Sequence, residues 1–198
     1  MARDMSPVLK KCRSLGIEPQ YLGIDKKSNR NPQRSRRKIS EYGLQLREKQ
    51  KAKFIYGVLE RPFRNYFDKA SKLKDGTPGD NLIISLELRL DNVVFRLGFG
   101  RTRKEARQIV DHKHVTVNGK TVNIPSYAVK EGDVIEIREK HKSGQRYKDV
   151  LEVTEGRIVP DWLQVDHENL KGIVSQKPIR EQIDIPVDEV LIVELYSK

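Results

Sequence analysis

Arg101-Thr102-Arg103-Lys104-Glu105-Ala106-Arg107-Gln108-Ile109-Val110, followed shortly by Val115-Thr116-Val117-Asn118-Gly119-Lys120-Thr121-Val122, is the stretch whose reading decides the fold. Thr102 and Glu105 stand at capping-box spacing, so a helix starts there. Ala106, Ile109 and Val110 recur on one face of that helix, and Arg103, Lys104 and Arg107 occupy the other. The second half alternates and turns at Asn118-Gly119. A type I′ turn needs positive φ at both central positions, and this pair supplies it, so a two-residue hairpin is expected. A cationic helix running into a tight hairpin, with Arg101 at its start, is an arrangement suited to gripping folded nucleic acid.

Working outward, Leu82, Ile83, Leu86, Leu90, Val93, Val94 and Leu97 predict one long amphipathic helix ending near Gly98 and Gly100. Downstream, Glu131-Gly132-Asp133 reads as a turn and Val134 to Ile137 as a strand. Val150 to Val153 finishes a short helix, Trp162 to Val165 and Gly172 to Val174 read as strands, and the alternation from Val190 to Tyr196 predicts a terminal strand. Upstream, Asp75 to Asp80, with Gly76, Pro78 and Gly79, marks a turn and a boundary.

Ser40 is the expected N-cap of a helix bearing Leu44, Leu46, Phe54 and Ile55, along which Arg47, Lys49, Lys51 and Lys53 crowd. A second helix is expected to open at Pro62. Phe63, Tyr66, Phe67 and Ala70 then form one apolar stripe, and aromatics at that spacing are assigned to packing rather than base stacking. Residues 1–39 read as irregular, interrupted by Pro7, Pro19 and Pro32. Seven cations and no acid fall between Lys26 and Lys38, a block that cannot collapse alone. Val8, Leu9, Leu15, Ile17, Tyr21 and Leu22 favour an arm that folds against a partner over a solvated tail.

The expected class is therefore α+β: a basic N-terminal arm and helical domain (1–87), a small RNA-binding α/β module of two helices and a small antiparallel sheet (88–150), and a C-terminal β extension (151–198) packing on the N-terminal domain.

The net charge of +11 is polarised along the 198 residues. Residues 1–80 hold 20 Lys/Arg against 9 Asp/Glu, residues 81–149 hold 14 against 9, and residues 150–198 hold 5 against 10. A polyanion would thus meet the first two thirds, each neutralised phosphate releasing a counterion. One cysteine, Cys12, excludes an internal disulfide framework and cannot alone build a zinc site, which suits a reducing cytoplasm. No run approaches the ~18 apolar residues of a membrane span, and no signal-peptide core is present.

Sharp catalytic signatures are missing: no Walker loop, no Gly-x-Ser-x-Gly elbow, no His-Glu-x-x-His helix and no Cys-x-x-Cys pair. His112, His114, His141 and His167 are scattered, and the 112/114 spacing suits shared metal coordination poorly. Asp91, following Arg89-Leu90, has no companion acid or base nearby and reads as an ion-pair partner for a neighbouring arginine. The cations of the 101–107 helix are one-signed and sit at a helix start, where open N–H groups also attract phosphate. Arginine adds a forked donor geometry. RNA is favoured over DNA, because nothing resembles a major-groove reading helix with a dimer spacer.

These residues resemble a known family. Arg89-Leu90-Asp91-Asn92-Val93-Val94-Phe95-Arg96-Leu97-Gly98-Phe99, Thr102-Arg103-Lys104-Glu105-Ala106-Arg107-Gln108, His114-Val115-Thr116-Val117-Asn118-Gly119-Lys120 and Ile124-Pro125-Ser126-Tyr127 are similar to bacterial small-ribosomal-subunit protein four. Leu46-Arg47-Glu48-Lys49-Gln50-Lys51, Phe54-Ile55-Tyr56-Gly57-Val58, Phe63-Arg64-Asn65-Tyr66-Phe67 and the terminal Leu195-Tyr196-Ser197-Lys198 extend the resemblance over nearly the whole chain.

The resemblance implies a primary binder of small-subunit ribosomal RNA that nucleates assembly of the subunit body. It also implies contact with small-subunit protein five, a place near the messenger RNA entry channel and an influence on translational accuracy. The residues expected to meet ribosomal RNA are Arg3, Lys10, Lys11, Arg13, Arg34, Arg36, Arg37, Lys38, Arg47, Lys49, Lys51, Lys53, Arg89, Arg101, Arg103, Lys104, Arg107, Asn118, Gly119 and Lys120. No catalytic residue, cofactor or membrane is expected, and no homo-oligomer is required. Some members bind zinc through four N-terminal cysteines; here only Cys12 of the first pair remains, so no metal is expected. The module also resembles one fused to pseudouridine synthases and tyrosyl-tRNA synthetase. The rivals are therefore an RNA-modifying enzyme, for which too little chain remains, and a free RNA-binding stress factor, which would sediment away from ribosomes.

Overall fold

The computed structural model describes residues 6–26, 29–30 and 39–197. The chain divides into two compact units, one of residues up to Ile83 together with those from Asp184, the other Ile84–Ile183. Of the expected segment 151–198, residues 184–197 thus belong to the first unit and 151–183 to the second.

In the first unit α1 (Val8–Leu15) ends at Gly16, whose φ of 69° reverses the chain, and a single 3-10 turn (Pro19–Leu22) closes at Gly23. The expectation of irregular structure over 1–39 is corrected here for these residues. Cys12, Leu15, Ile17 and Leu22 are buried, and their burial stabilises a helix too short to persist alone. Ser40 caps α2 (Glu41–Tyr56), its hydroxyl accepting from the Gly43 N–H at 3.2 Å. The next helix, α3 (Glu60–Ala70), starts two residues before Pro62, which is tolerated in the first turn because its missing N–H would have had no partner. Phe63 and Ala70 are fully buried, in keeping with the packing stripe.

The terminal segment departs from expectation. Glu189–Ser197 forms a helix, α9, not a strand. An apolar run of this length is ambiguous in periodicity, and tertiary partners decide it. Asp188 accepts from the Val190 N–H at 3.0 Å at the helix start. Ile192 is buried, and Tyr196 stacks on Phe67 with ring centroids 4.5 Å apart. α9 also packs along α2, where the buried Gln45 amide donates to Glu194 at 3.0 Å.

The predicted long helix is two. α4 (Pro78–Glu87) is capped by Thr77, which accepts from the Asp80 N–H at 3.1 Å, and it stops before Arg89, whose φ and ψ are extended. α5 (Leu90–Arg96) then begins. The break follows from the segment around Ile124 to Val129: Leu90 N–H donates to Tyr127 O (2.8 Å), Asp91 N–H to Pro125 O (3.1 Å), and Val129 N–H to Leu88 O (2.9 Å). Those bonds satisfy backbone groups at both helix ends, so the chain can turn without orphaned polar groups.

α6 (Arg103–Asp111) starts at the Thr102 cap and packs against α5. Five antiparallel strands follow in spatial order β2-β1-β3-β5-β4: β1 (Val115–Val117), β2 (Lys120–Thr121), β3 (Val134–Ile137), β4 (Leu163–Asp166) and β5 (Lys171–Val174). The hairpin turn has φ of 50° at Asn118 and 76° at Gly119, as a type I′ turn requires. Val115 and Val117 lie opposite Ile137 and Ile135, so one face of the sheet is apolar. That face joins Val93, Val94, Leu97, Ile109, Trp162 and Leu170 in one core. Gly172 is needed in β5 because a Cβ there would sit 2.5 Å from the methyl groups of Leu97. Between β3 and β4 lie the one-turn helix α7 (Glu139–Lys142) and α8 (Gln145–Thr154).

Candidate nucleic-acid interface

The four cations between Arg101 and Arg107 part company in the structure. Arg103 is 9% exposed: its Nε donates to Asn92 Oδ1 at 3.0 Å and its guanidinium lies 4.4 Å from the centre of the Phe95 ring. Arg89 is 3% exposed and makes a two-bond fork to Asp91, Nε to Oδ1 at 3.0 Å and Nη2 to Oδ2 at 2.6 Å. Both were expected to meet RNA, and burial places both side chains in the interior instead. Asp91 is the ion-pair partner anticipated for it, and it also receives Arg107 Nη1 at 3.3 Å. Arg107 remains partly exposed, while Lys104 and Arg101 reach solvent.

A buried polar chain holds this arrangement. The Glu87 carboxylate, fully buried, accepts from Asn92 Nδ2 and from Arg96 at 2.9 and 3.2 Å. Asn92 in turn accepts from Arg103, so the first turn of α6 is tied to α5 and to the end of α4. Arg157 completes the support. It lies 4.4 Å from the centre of the Phe95 ring, and it donates to the carbonyls of Phe95 (3.0 Å), Gly100 (3.0 Å) and Arg101 (2.8 Å). These are carbonyls at the end of α5 and in the loop before α6, so one arginine orders the loop that presents Arg101. Charged donors on backbone carbonyls near a helix C-terminus also oppose its negative end.

On the outer surface Glu105 accepts from the Arg101 N–H at 2.9 Å and from its guanidinium, and Arg146 Nη2 joins at 3.3 Å. Within the expected capping box, the Glu105 side chain therefore reaches back to Arg101 rather than to Thr102. Burial pushes the Glu105 carboxyl up, but the bonds and charge of Arg101 and the charge of Arg146 outweigh it and leave it lowered. The hairpin tip is held from below: Asn118 Nδ2 donates to Asp133 and Asn118 Oδ1 accepts from Val134 N–H, both at 2.9 Å. Asn118, Gly119 and Lys120 are exposed.

In the first unit Lys10 is exposed and Lys11 and Arg13 are half-buried. Lys11 lies 4.8 Å above the Phe54 ring. Arg47 donates to the Leu15 carbonyl at 3.1 Å, closing α1 against α2. Lys51 pairs with Glu48 at 2.6 Å, and Lys49 and Lys53 both pair with Glu60, at 2.9 and 2.6 Å. Burial pushes the Glu60 carboxyl up, and the hydrogen bonds and charges of Lys53 and Lys49 hold it down to about 2. Arg3, Arg34, Arg36, Arg37 and Lys38 lie outside the described residues. Among the described residues no group of three His, Cys, Asp or Glu side chains could hold a metal ion, and no helix is long and apolar enough to cross a membrane.

Sequence reasoning did not single out Arg157, Glu87, Asn92 or Arg146. Arg157 lies in the acidic last third, where the charge profile pointed away from it, and no local pattern marks the loop carbonyls it meets.

An α5–α6 helix pair, shored up from within by buried ion pairs, carries cations outward beside a hairpin on a five-stranded sheet. That defines a small basic recognition module joined to a separate helical unit. Residues 88–135 match the model of the S4 domain, and residues 3–87 match that of the ribosomal protein S4/S9 N-terminal domain. Proteins named small ribosomal subunit protein uS4 align over all 198 residues and over the whole of each relative. Identity is 77% in Lachnoclostridium phytofermentans, 71% in Agathobacter rectalis and 70% in Lachnospira eligens. The chain belongs to the family of small ribosomal subunit protein uS4.

Proposed function

We propose that the chain is a structural, non-catalytic constituent of the small ribosomal subunit that works in the cytoplasm by binding small-subunit ribosomal RNA. The observation that carries this reading is the match over the full length of both chains to proteins named for that subunit. The surface supports it. Arg101, Lys104, Arg107 and Lys120 present charge on the module, and Lys10, Lys11 and Arg13 present it on the helical unit. Arg89 and Arg103 act as positioning residues that hold α5 and α6 in register beneath those contacts.

Within the subunit the protein binds a junction of RNA helices early and nucleates assembly of the body. Protein five of the small subunit and messenger RNA near the entry channel are its further partners, through which it influences accuracy. No zinc is bound, since Cys12 stands alone; elemental analysis finding stoichiometric zinc would overturn that. The main test is composition: the protein should be stoichiometric in salt-washed small subunits. Recovery only in the ribosome-free fraction would favour a free RNA-binding stress factor instead.

A further inference from the structure

The surface just beyond the sheet carries a cluster that the interface above does not use. The imidazoles of His114 and His141 are stacked face to face, with centroids 3.8 Å apart and planes 5° from parallel. Backbone geometry builds the stack. The Arg138 N–H donates to the His114 carbonyl at 2.8 Å at the end of the β1–β3 pairing, and one helical turn later the His141 N–H donates to the Arg138 carbonyl at 2.8 Å. His141 is thereby folded back over His114.

His114 Nδ1 lies 2.9 Å from the hydroxyl of the buried Tyr147. Burial pushes the Tyr147 phenol up to about 12, so it keeps its proton at pH 7. Burial, with the charges of His141, Arg146, His112 and Lys140, pushes His114 down to about 4, so its ring is neutral at pH 7. Burial, Lys140 and Arg138 lower His141 as well.

The inner face of His141 is covered by His114, yet the residue is still half-exposed, so its exposure comes from the outer face and edge. A neutral, flat, rigidly backed ring flanked by Arg138 and Lys140 is a surface that meets both parts of a nucleotide. The planar ring offers stacking that tolerates any base, and the cations offer contacts to its phosphate.

We propose that the outer face of His141 takes an unpaired base of small-subunit ribosomal RNA, extending the His114–His141 stack, with the flanking phosphate held by Arg138 or Lys140. This rests on the ribosomal RNA reading and adds to it a base-stacking site on α7. Stacking on a protein ring contributes about tenfold in affinity per base. His141→Ala should therefore weaken binding of the full chain to a small-subunit ribosomal RNA transcript by about tenfold without changing the salt dependence. His141→Phe should stay within about twofold of wild type. Lys140→Ala should instead flatten the salt dependence by about one phosphate contact.

Unchanged affinity of His141→Ala would overturn the proposal. So would a loss in His141→Phe equal to that in His141→Ala, which would make the imidazole a hydrogen-bonding group rather than a platform. Trp162 fluorescence checks that each variant is folded. If wild type bound the transcript no better than an unrelated RNA, the ribosomal reading itself would fail, an outcome visible before any variant is compared.

Discussion

Arg103→Ala and Arg107→Ala remove the same group from one helix four residues apart, and the structure assigns them opposite consequences. Arg103 loses a stacked, buried cation–ring contact worth about 1–2 kcal/mol, and Asn92 Oδ1 loses its donor in the interior, at a cost of about 1–3 kcal/mol. Together the loss is about 2–5 kcal/mol. Arg107 is partly exposed, and Asp91 keeps its fork with Arg89, so truncation there costs under about 1 kcal/mol.

Trp162 is the only tryptophan and is fully buried in the module core, so its fluorescence reports unfolding of that unit alone. With a urea slope of about 2 kcal/mol per molar for a unit of this size, Arg103→Ala should lower the midpoint by about 1–2.5 M and Arg107→Ala by less than about 0.5 M. RNA binding by Arg107→Ala should weaken with a salt slope smaller by about one, since an outward cation is lost. Equal midpoint shifts in the two variants would refute the division into buried support and outward contact. Arg103→Lys should not restore the full midpoint, because an ammonium lacks the planar fork.

Gly119→Ala should cost about 1–2 kcal/mol from positive φ alone, since nothing lies within 4 Å of the added methyl, and the same fluorescence melt measures it. Gly172→Ala should cost about 1–3 kcal/mol by overpacking Leu97; a wild-type midpoint would show that Leu97 can move aside. The Glu60 carboxyl is depressed to about 2 from an ordinary 4.5, so its contribution is complete above about pH 4.5 and is lost as pH falls towards 2. Glu60→Gln should remove the part of the acid-unfolding profile in that window, and an unchanged profile would contradict the pairing with Lys49 and Lys53. His114 titrates lower in the folded chain than its ordinary 6.5, so the folded state binds fewer protons between about pH 6.5 and 4 and stability declines as pH falls through that range. Imidazole NMR titration should place His114 near 4 in the RNA-free protein, and a value near 6.5 would contradict the burial of its ring among neighbouring cationic groups.

Features governed by a few neighbouring residues were legible in the chain alone. Ser40, Thr102 and Asn118-Gly119 act within one turn of backbone, so helix starts and the hairpin followed from residue type. The periodic stripes of α3 and α6 followed from side-chain spacing. Where periodicity was ambiguous, distant partners decided. α9 is a helix because α2 and Phe67 give its apolar side a surface to cover. The α4–α5 break exists because the Ile124 to Val129 segment supplies backbone partners from more than thirty residues away.

The candidate interface divides in the same way. The cationic stretch, the charge gradient and the family resemblance all lay in the sequence, because they depend on composition and order alone. Which arginines face outward did not. Arg101, Arg103 and Arg107 are alike in one dimension, and only folding brings Asn92, Phe95 and Asp91 against two of them. A buried charge persists only where partners from other elements meet it, so tertiary structure, not residue type, separates the support from the contact surface.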